Sequence, residues 1–274
     1  MRDAIRLVLL CGLAALAAAG ARAEAGQAGP PAGAHTIILA ADPWCPYNCD
    51  PKADGQEGYM IDIARAVFEP LGYRIDYRLE PWSAALRLAA DGKVQGLVGA
   101  AETDFAELVF PERSLGKSAN ALAARRGYDF TFHDVHSLEA HRVAVIRDYS
   151  YGDLFDGYIE ENGGDPARIQ VFSGFGYALL NQSLRALVEM RVDLVLEDAN
   201  VLAWGVRRLN LADRVTLHPV DDADDVFIGF APGQPHAKEY ARLLSEGIDR
   251  LRRDGTLARI LAAYGLKDWA PARR

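Results

Sequence analysis

Several short stretches of the sequence contain residue types that catalyse reactions in other proteins, but each lacks a required part. Gly116-Lys117-Ser118 is like the end of a phosphate-binding loop, but Pro111 stands where that loop needs a glycine. Gly174-Phe175-Gly176 lacks the third glycine of a dinucleotide-binding fingerprint. The G-x-S-x-G pattern of a nucleophile elbow does not occur. The sequence therefore predicts no catalytic residue.

The histidines and the acidic run do not form a recognisable metal site. His133, His136 and His141 fall in a polar connector, which favours a solvated loop over a set of ligands. The acidic run at 221–225 lacks the glycine and the spacing of a calcium-binding loop. We expect neither a metal nor another cofactor.

The first 34 residues are typical of an exported protein. Residues 1–23 combine a basic start, an apolar run and an Ala-Arg-Ala ending, which indicates a cleavable signal peptide. Leu9 and Leu10 precede Cys11 where a lipidated cysteine needs small residues, so we expect no lipid anchor. Residues 24–34 are rich in Ala, Gly and Pro and are predicted to form a flexible lead-in. These features favour the periplasm of a Gram-negative cell.

The net charge argues against one class of partner, and the cysteines indicate a disulfide. The net charge of −8 argues against nucleic acid, which is bound through Lys and Arg. Cys45 and Cys49 are the only cysteines after the signal, and an even, closely spaced pair in an oxidising compartment predicts a disulfide. The bond would fix the turn that presents Trp44 and Tyr47.

Strand and helix patterns alternate along most of the chain. This alternation would place Trp44 and Tyr47 at the end of a parallel strand. The stretch 36–100 shows a buried strand, a helix at 59–71, an alternating strand, a second helix and a third strand. The same alternation restarts at His141 and continues to residue 220. Repeated strand–helix–strand order indicates parallel strands with helical crossovers.

Two stretches, 55–116 and 227–266, together resemble the periplasmic solute-binding proteins of family 3, the polar amino-acid-binding type. The resemblance implies an α/β fold with two lobes, a type II Venus-flytrap in which two open mixed sheets are joined by two hinge connections. Lobe 1 would comprise 35–121 and 228–270, and lobe 2 would comprise 122–227. The apolar segments 118–126 and 225–233 fall where the family has its connections. The alternative is a single doubly wound sheet.

The binding residues are expected where strands of the two lobes end and loops converge. The resemblance implies that Trp82 stacks on the ligand, that Asp198 pairs with an ammonium group and that the turn at Tyr149 and Ser150 binds a carboxylate. For the aromatic residues the alternative is core packing, and for Asp198 it is a helix N-cap. The full candidate set is Trp44, Tyr47, Tyr59, Trp82, Ala100, Glu102, Asp104, Tyr149, Ser150, Tyr151 and Asp198.

One departure from the family pattern bears on the ligand. Family members hold the ligand carboxylate with an Arg, but residues 101–111 contain no Arg or Lys, and Asp104 lies near the expected position. The sequence thus predicts a ligand that is neutral or cationic on its lobe 1 side, with any carboxylate at Tyr149 and Ser150. The alternative is that Glu102 and Asp104 only cap a turn that faces solvent.

The resemblance implies a monomeric binding protein that closes on a small polar metabolite and delivers it to the permease of an inner-membrane ABC importer. One alternative is a dehydratase-like enzyme on the same scaffold, with Glu102 or Glu197 as general acid. The other is a protein that presents its ligand to a membrane sensor.

Overall fold

The computed structural model describes residues 35–102, 107–220 and 223–270. The predicted signal peptide, the lead-in and Asp104 lie outside the described residues. The strands are β1 (Thr36–Ala41), β2 (Arg74–Leu79), β3 (Gly96–Ala100), β4 (Gly116–Ser118), β5 (Asn120–Arg125), β6 (Val143–Ile146), β7 (Ile169–Phe172), β8 (Leu194–Asp198), β9 (Val215–Pro219) and β10 (Asp224–Phe230). The helices are α1 (Pro51–Asp54), α2 (Tyr59–Phe68), α3 (Trp82–Ala90), α4 (Asp153–Asn162), α5 (Tyr177–Val188), α6 (Ala199–Arg208), α7 (Ala237–Arg253) and α8 (Thr256–Ala263).

The strands form two separate five-stranded mixed sheets. The first has the order β2-β1-β3-β10-β4, in which β1 is parallel to β2 and β3 while β10 is antiparallel to β3 and β4. The second has the order β7-β6-β8-β5-β9, in which β6 is parallel to β7 and β8 while β5 is antiparallel to β8 and β9. The predicted two-lobed α/β fold is confirmed, and the single doubly wound sheet is wrong. We call the first sheet and its helices lobe 1, and the second sheet and its helices lobe 2.

The chain passes between the lobes twice, over very few residues. Ser118 ends β4 in lobe 1 and Asn120 begins β5 in lobe 2, while Pro219 ends β9 and Asp224 begins β10 in lobe 1. The boundaries expected at 121/122 and 227/228 therefore fall inside β5 and β10. The segments predicted as connections are themselves mostly strand, because their apolar residues are buried within each sheet.

Helix α2 packs into lobe 1 through its apolar residues. Its apolar side chains are buried and face α7 and the sheet. It ends at Phe68 and continues as a 3₁₀ turn to Gly72, whose φ of 86° closes the helix in the left-handed conformation. The predicted helix at 59–71 thus has the expected extent, with a tighter last turn.

The Cys45–Cys49 disulfide is present and closes the turn after β1. The start of α2 lies against this turn, since a Cβ on Gly58 would stand 2.4 Å from the Cα of Asn48. Only glycine permits that approach, and Gly58 also has a φ of 99°. The disulfide turn and α2 are therefore fixed to each other.

Within the described parts of the chain, no helix combines the length and apolar character needed to cross a membrane.

Candidate functional site

A cleft of about 190 Å³ lies between the two lobes, where the carboxyl ends of β1, β3, β6 and β8 converge. This position is typical of ligand sites in open α/β sheets. The volume is below the roughly 300–1,000 Å³ of pockets for drug-sized molecules, so the cleft suits a small metabolite. No Lys, Arg or His is among the described residues that line it.

Asp42 and Asn48 form the polar wall of the cleft on lobe 1. Both are buried, with 7% and 1% of their surfaces exposed. The Asn48 Nδ2 donates to the Asp42 main-chain oxygen at 2.5 Å, which fixes the amide orientation because a carbonyl only accepts hydrogen bonds. Neither Oδ1 atom meets a described donor at hydrogen-bonding distance and angle. Burial raises the pKa of Asp42, and the hydrogen bond from Tyr149 opposes the rise. The Gly176 N–H also lies close enough to the Asp42 carboxylate to oppose the rise in its pKa.

Glu197 is the corresponding group on lobe 2. It stands one residue before the end of β8 and is 3% exposed. Its Oε1 accepts hydrogen bonds from Trp44 Nε1 at 3.0 Å and from the Asp198 N–H at 2.8 Å. Its Oε2 accepts none within the described structure. Burial raises the pKa of Glu197 to about 7, and the charges of Asp198 and Asp42 add to the rise.

The cleft therefore has three buried acceptors without partners, two on lobe 1 and one on lobe 2. A buried acceptor without a donor costs about 1–3 kcal/mol, and more where it is charged. A ligand with several N–H groups would supply donors, and a positive charge would favour the ionised form of Glu197. The arrangement can bind a cation between the lobes.

Several hydrogen bonds join the lobes directly, and two of them involve Asp42 and Glu197. Trp44 on lobe 1 donates to Glu197, and the Tyr149 hydroxyl on lobe 2 donates to Asp42 Oδ2 at 2.7 Å. Another link lies outside the cleft, where Arg208 forms a salt bridge at 3.0 Å with Asp54, whose side chain is buried. The lobes lie in contact and must part for a solute to reach the unpartnered acceptors.

Asp198, expected to pair with a ligand ammonium group, is instead satisfied within the protein. Its Oδ1 accepts from the N–H groups of Asn200 and Val201, so it is the N-cap of α6. Its Oδ2 accepts from the Ser118 hydroxyl and the Ala119 N–H, and lies 3.0 Å from the Tyr47 hydroxyl. These bonds tie the first crossing between the lobes to β8. Burial raises its pKa to about 6 against these hydrogen bonds.

The aromatic candidates divide between the cleft wall and the core. Trp44, Trp82 and Tyr149 line the cleft. Trp44 stacks on Tyr47, with ring centroids 4.2 Å apart and an interplanar angle of 17°. Tyr47 and Tyr59 are fully or almost fully buried, pack on each other and do not line the cleft. Both belong to the core of lobe 1, because the disulfide turn folds inward over α2.

The turn after β6, expected to hold a carboxylate, has two of its donors engaged by the protein. The Ser150 hydroxyl donates to Asp156 Oδ2 at 2.7 Å, and the Tyr151 N–H donates to Asp156 Oδ1 at 2.8 Å. The Tyr151 hydroxyl accepts from the Ile146 N–H. Asp156 lies in the first turn of α4, so a carboxylate already occupies that helix start.

The remaining candidates lie off the cleft. Ala100 is fully buried among the apolar residues beneath α3. Glu102 is exposed and does not line the cleft, which agrees with the alternative of a turn that faces solvent. The one group of metal-ligating residue types close together in the described chain is Cys45, Cys49 and Asp54, and both sulfurs are in the disulfide.

Asp42 and Asn48, which have unpartnered oxygens at the cleft, are not among the residues expected from the sequence. Glu197 is expected from the sequence only as a general acid in the alternative enzyme. Asp42 directly follows β1 and Glu197 lies one residue before the end of β8, so both lie at strand ends. No feature of the sequence indicates Asn48 as a cleft residue, because its position depends on the fold of the disulfide turn.

The sequence matches the pattern of the bacterial extracellular solute-binding proteins, family 3, over residues 37–267. A sequence comparison with curated proteins found no match.

Solved structures with this fold come from several functional contexts. A structure from work on glutathione import through GshT and the cystine ABC importer TcyBC of Streptococcus mutans has a TM-score of 0.72 at 14% identity, covering 87% of this chain and 98% of that one. A histidine kinase sensor domain with similarity to periplasmic binding proteins has a TM-score of 0.68 at 22% identity, covering 86% and 99%. An ancestral amino acid-binding protein, a precursor of cyclohexadienyl dehydratase, has a TM-score of 0.63 at 15% identity, covering 84% and 94%. At these identities the likeness shows the fold.

Proposed function

The chain belongs to the bacterial extracellular solute-binding proteins of family 3, and we propose that it captures a small cationic metabolite in the periplasm for an inner-membrane ABC importer. The observation that carries the proposal is the set of unpartnered acceptors on Asp42, Asn48 and Glu197 in a cleft whose described lining has no basic residue. A cation that donates to both lobes would satisfy all three at once.

Capture would proceed by opening and closing of the lobes about their two short crossings. Opening breaks the hydrogen bonds from Trp44 to Glu197 and from Tyr149 to Asp42. A bound cation stabilises the closed arrangement by bridging Glu197 to the wall of lobe 1, so the closed population rises by the ligand's differential affinity for it. The permease would then recognise the closed protein.

A panel of solutes tests this function. Purified protein is screened by thermal shift and calorimetry against amines, guanidines, betaines, basic amino acids and dicarboxylates. We expect cations to raise the melting temperature and dicarboxylates to have no effect. Tight binding of simple dicarboxylates, or binding of no solute at all, would contradict the proposal. Uptake of the bound solute by cells with and without the gene then tests delivery to an importer.

Glu197 favours a second candidate function, an enzyme on the same scaffold. A buried carboxyl group with a pKa of about 7 suits general acid catalysis near neutral pH. Mass spectrometry of each solute after incubation with the protein distinguishes the two functions, because an enzyme yields a product and a binding protein returns the solute unchanged.

A further inference from the structure

Three side-chain donors at the cleft are engaged by carboxylates, while three of its buried acceptors meet no described donor. Trp44 donates to Glu197, Tyr149 donates to Asp42 and Ser118 donates to Asp198. Each of these side chains has a single hydrogen to donate. A ligand that needed donors from the protein would have to compete with a carboxylate for each of them. The described wall favours a ligand that gives hydrogen bonds over one that accepts them.

The turn after β6 offers no better position for an anion. Asp156 accepts from both the Ser150 hydroxyl and the Tyr151 N–H, and Asp156 is itself a carboxylate at the start of α4. A ligand carboxylate there would take the place of Asp156 and lie beside its charge. Like charges so close in a partly buried site cost binding energy.

The nearest basic side chain along the first crossing is also engaged elsewhere. Lys117 precedes Ser118, and its Nζ forms a salt bridge with Asp225 at 3.1 Å. The main-chain oxygen of Lys117, not its amine, meets the Tyr47 hydroxyl at 2.6 Å. The sequence from 101 to 111 contributes no Lys or Arg. A ligand carboxylate therefore finds no Lys or Arg on the described cleft wall, and the hydroxyls of Ser118, Tyr149 and Ser150 already donate to protein carboxylates.

We infer that the cleft binds a cation that has no carboxylate, an alkyl amine or alkyl guanidine, in preference to an α-amino acid. This inference rests on the proposed function and narrows its ligand class. The N–H groups of such a ligand would meet Glu197 Oε2, Asp42 Oδ1 and Asn48 Oδ1, which come from both lobes. Its alkyl chain would lie along the rings of Trp44 and Trp82.

Matched pairs of solutes that differ only in the carboxylate test the inference. Calorimetry of the wild-type protein compares agmatine with arginine and cadaverine with lysine, and arginine methyl ester serves as a control for size. We expect agmatine and cadaverine to bind at least about tenfold more tightly than their amino acids, because the cleft has several carboxylates and no described basic residue to offset the ligand carboxylate. The ester should bind more tightly than arginine.

Two variants test whether the affinity for the amine depends on the cleft carboxylate. Glu197→Gln keeps the shape of the side chain and removes its charge, and we expect it to weaken binding of the preferred amine at least about tenfold. Glu160→Gln removes an exposed carboxylate from α4 and should leave the affinity unchanged. Equal effects of the two variants would mean that net charge, not the cleft, attracts the ligand, and would overturn the inference.

The experiments distinguish failure of the inference about the ligand class from failure of the proposed function. If arginine or lysine binds as tightly as its decarboxylated partner or more so, the inference is wrong while the proposed function stands. If none of the amines, guanidines and amino acids binds, the proposed function fails, and the inference fails with it. Tighter binding of the amine, lost in Glu197→Gln alone, supports both.

Discussion

Glu197 and Asp198 are adjacent acids at the end of β8, and their environments differ at the same depth of burial. Their exposed fractions are 3% and 2%. Asp198, the hinge carboxylate, has hydrogen-bonding partners for both oxygens within the protein. Glu197, the cleft carboxylate, has partners for Oε1, while its Oε2 meets no described donor.

The difference arises because the two side chains at this strand end meet different parts of the protein. Side chains in a strand alternate between its faces, so neighbours in sequence meet different surroundings. Asp198 meets the crossing at Ser118 and the start of α6, and its bonds stabilise the fold. Glu197 meets the cleft, where an unsatisfied oxygen costs stability until a ligand arrives. Burial does not distinguish the two acids, but their hydrogen bonds do.

Removal of the hinge carboxylate should have the largest effect on stability. Asp198→Ala leaves the N–H groups of Asn200, Val201 and Ala119 without their acceptor and removes the cap of α6. We expect the free energy of unfolding to fall by about 3–5 kcal/mol, the range for breaking a buried charged network. Urea denaturation measures it. Asp134→Ala is the matched control, because it removes an exposed cap of a short 3₁₀ helix and should cost only about 0.5–1 kcal/mol. Equal losses would show that the hinge bonds add nothing beyond capping.

The stability should fall as pH rises, because the cleft carboxyl is easier to protonate in the folded protein. The pKa of Glu197 is about 7, raised from an ordinary value of 4.5. Between these values the folded state holds the proton and the unfolded state does not, so the free energy of unfolding decreases with rising pH. The shift corresponds to about 3 kcal/mol.

Glu197→Gln isolates this contribution, since the other groups that titrate are common to both proteins. Those facing Glu197 are Asp42, Asp198, Tyr149 and Tyr151, and burial raises the pKa of both tyrosines so that they stay protonated in this range. Denaturation at pH 4.5 and pH 7.5 should show a decrease in the wild type that is larger than in the variant by about 3 kcal/mol. An identical pH dependence in both proteins would mean that Glu197 titrates normally.

At pH 7.5 Glu197→Gln should lower the affinity for a cation without lowering the stability of the protein. Glu197→Gln relieves a buried charge, so its melting temperature should equal or exceed that of the wild type. Its affinity for a cationic ligand should fall about 10- to 100-fold, or about 1.4–2.7 kcal/mol. Calorimetry and a melting curve on the same sample provide both values. Loss of stability with unchanged affinity would reverse the roles that we assign to the two acids.

Trp82 should have the smallest of these effects. Its ring lines the cleft at the start of α3 and is partly exposed. Trp82→Ala should weaken cation binding by about 1 kcal/mol through the lost ring face, with little change in melting temperature. Unchanged affinity would assign Trp82 to packing alone.

Much of the fold could be predicted from the sequence, because it depends on local patterns. The buried strand at 36–41, the helix that Gly72 ends and the restart at His141 all appear as expected. The sequence predicts connections at 118–126 and 225–233, because apolar character alone does not show that these segments pair within the sheets. Their pairing partners are distant in sequence, as for β10 and β3.

The candidate site was harder to predict, because it depends on which polar atoms remain unpaired. Asp198 is satisfied by Ser118, which is 80 residues away, and by groups of α6. Tyr47 faces the core because the disulfide turn folds over α2, and Asn48 faces the cleft for the same reason. No pattern in the sequence shows that Glu197, rather than its neighbour, has an unpartnered oxygen.

Proton release on binding tests the central claim most directly. At pH 7 the cleft carboxyl of Glu197 is about half protonated, and a cation beside it lowers its pKa. Calorimetric titration with agmatine in two buffers of different ionisation enthalpy measures the protons exchanged, since agmatine itself stays charged at this pH. The account predicts release of about half a proton per ligand in the wild type and almost none in Glu197→Gln. Proton uptake, or the same release in both proteins, would contradict the assignment of Glu197 as the group that binds the cation.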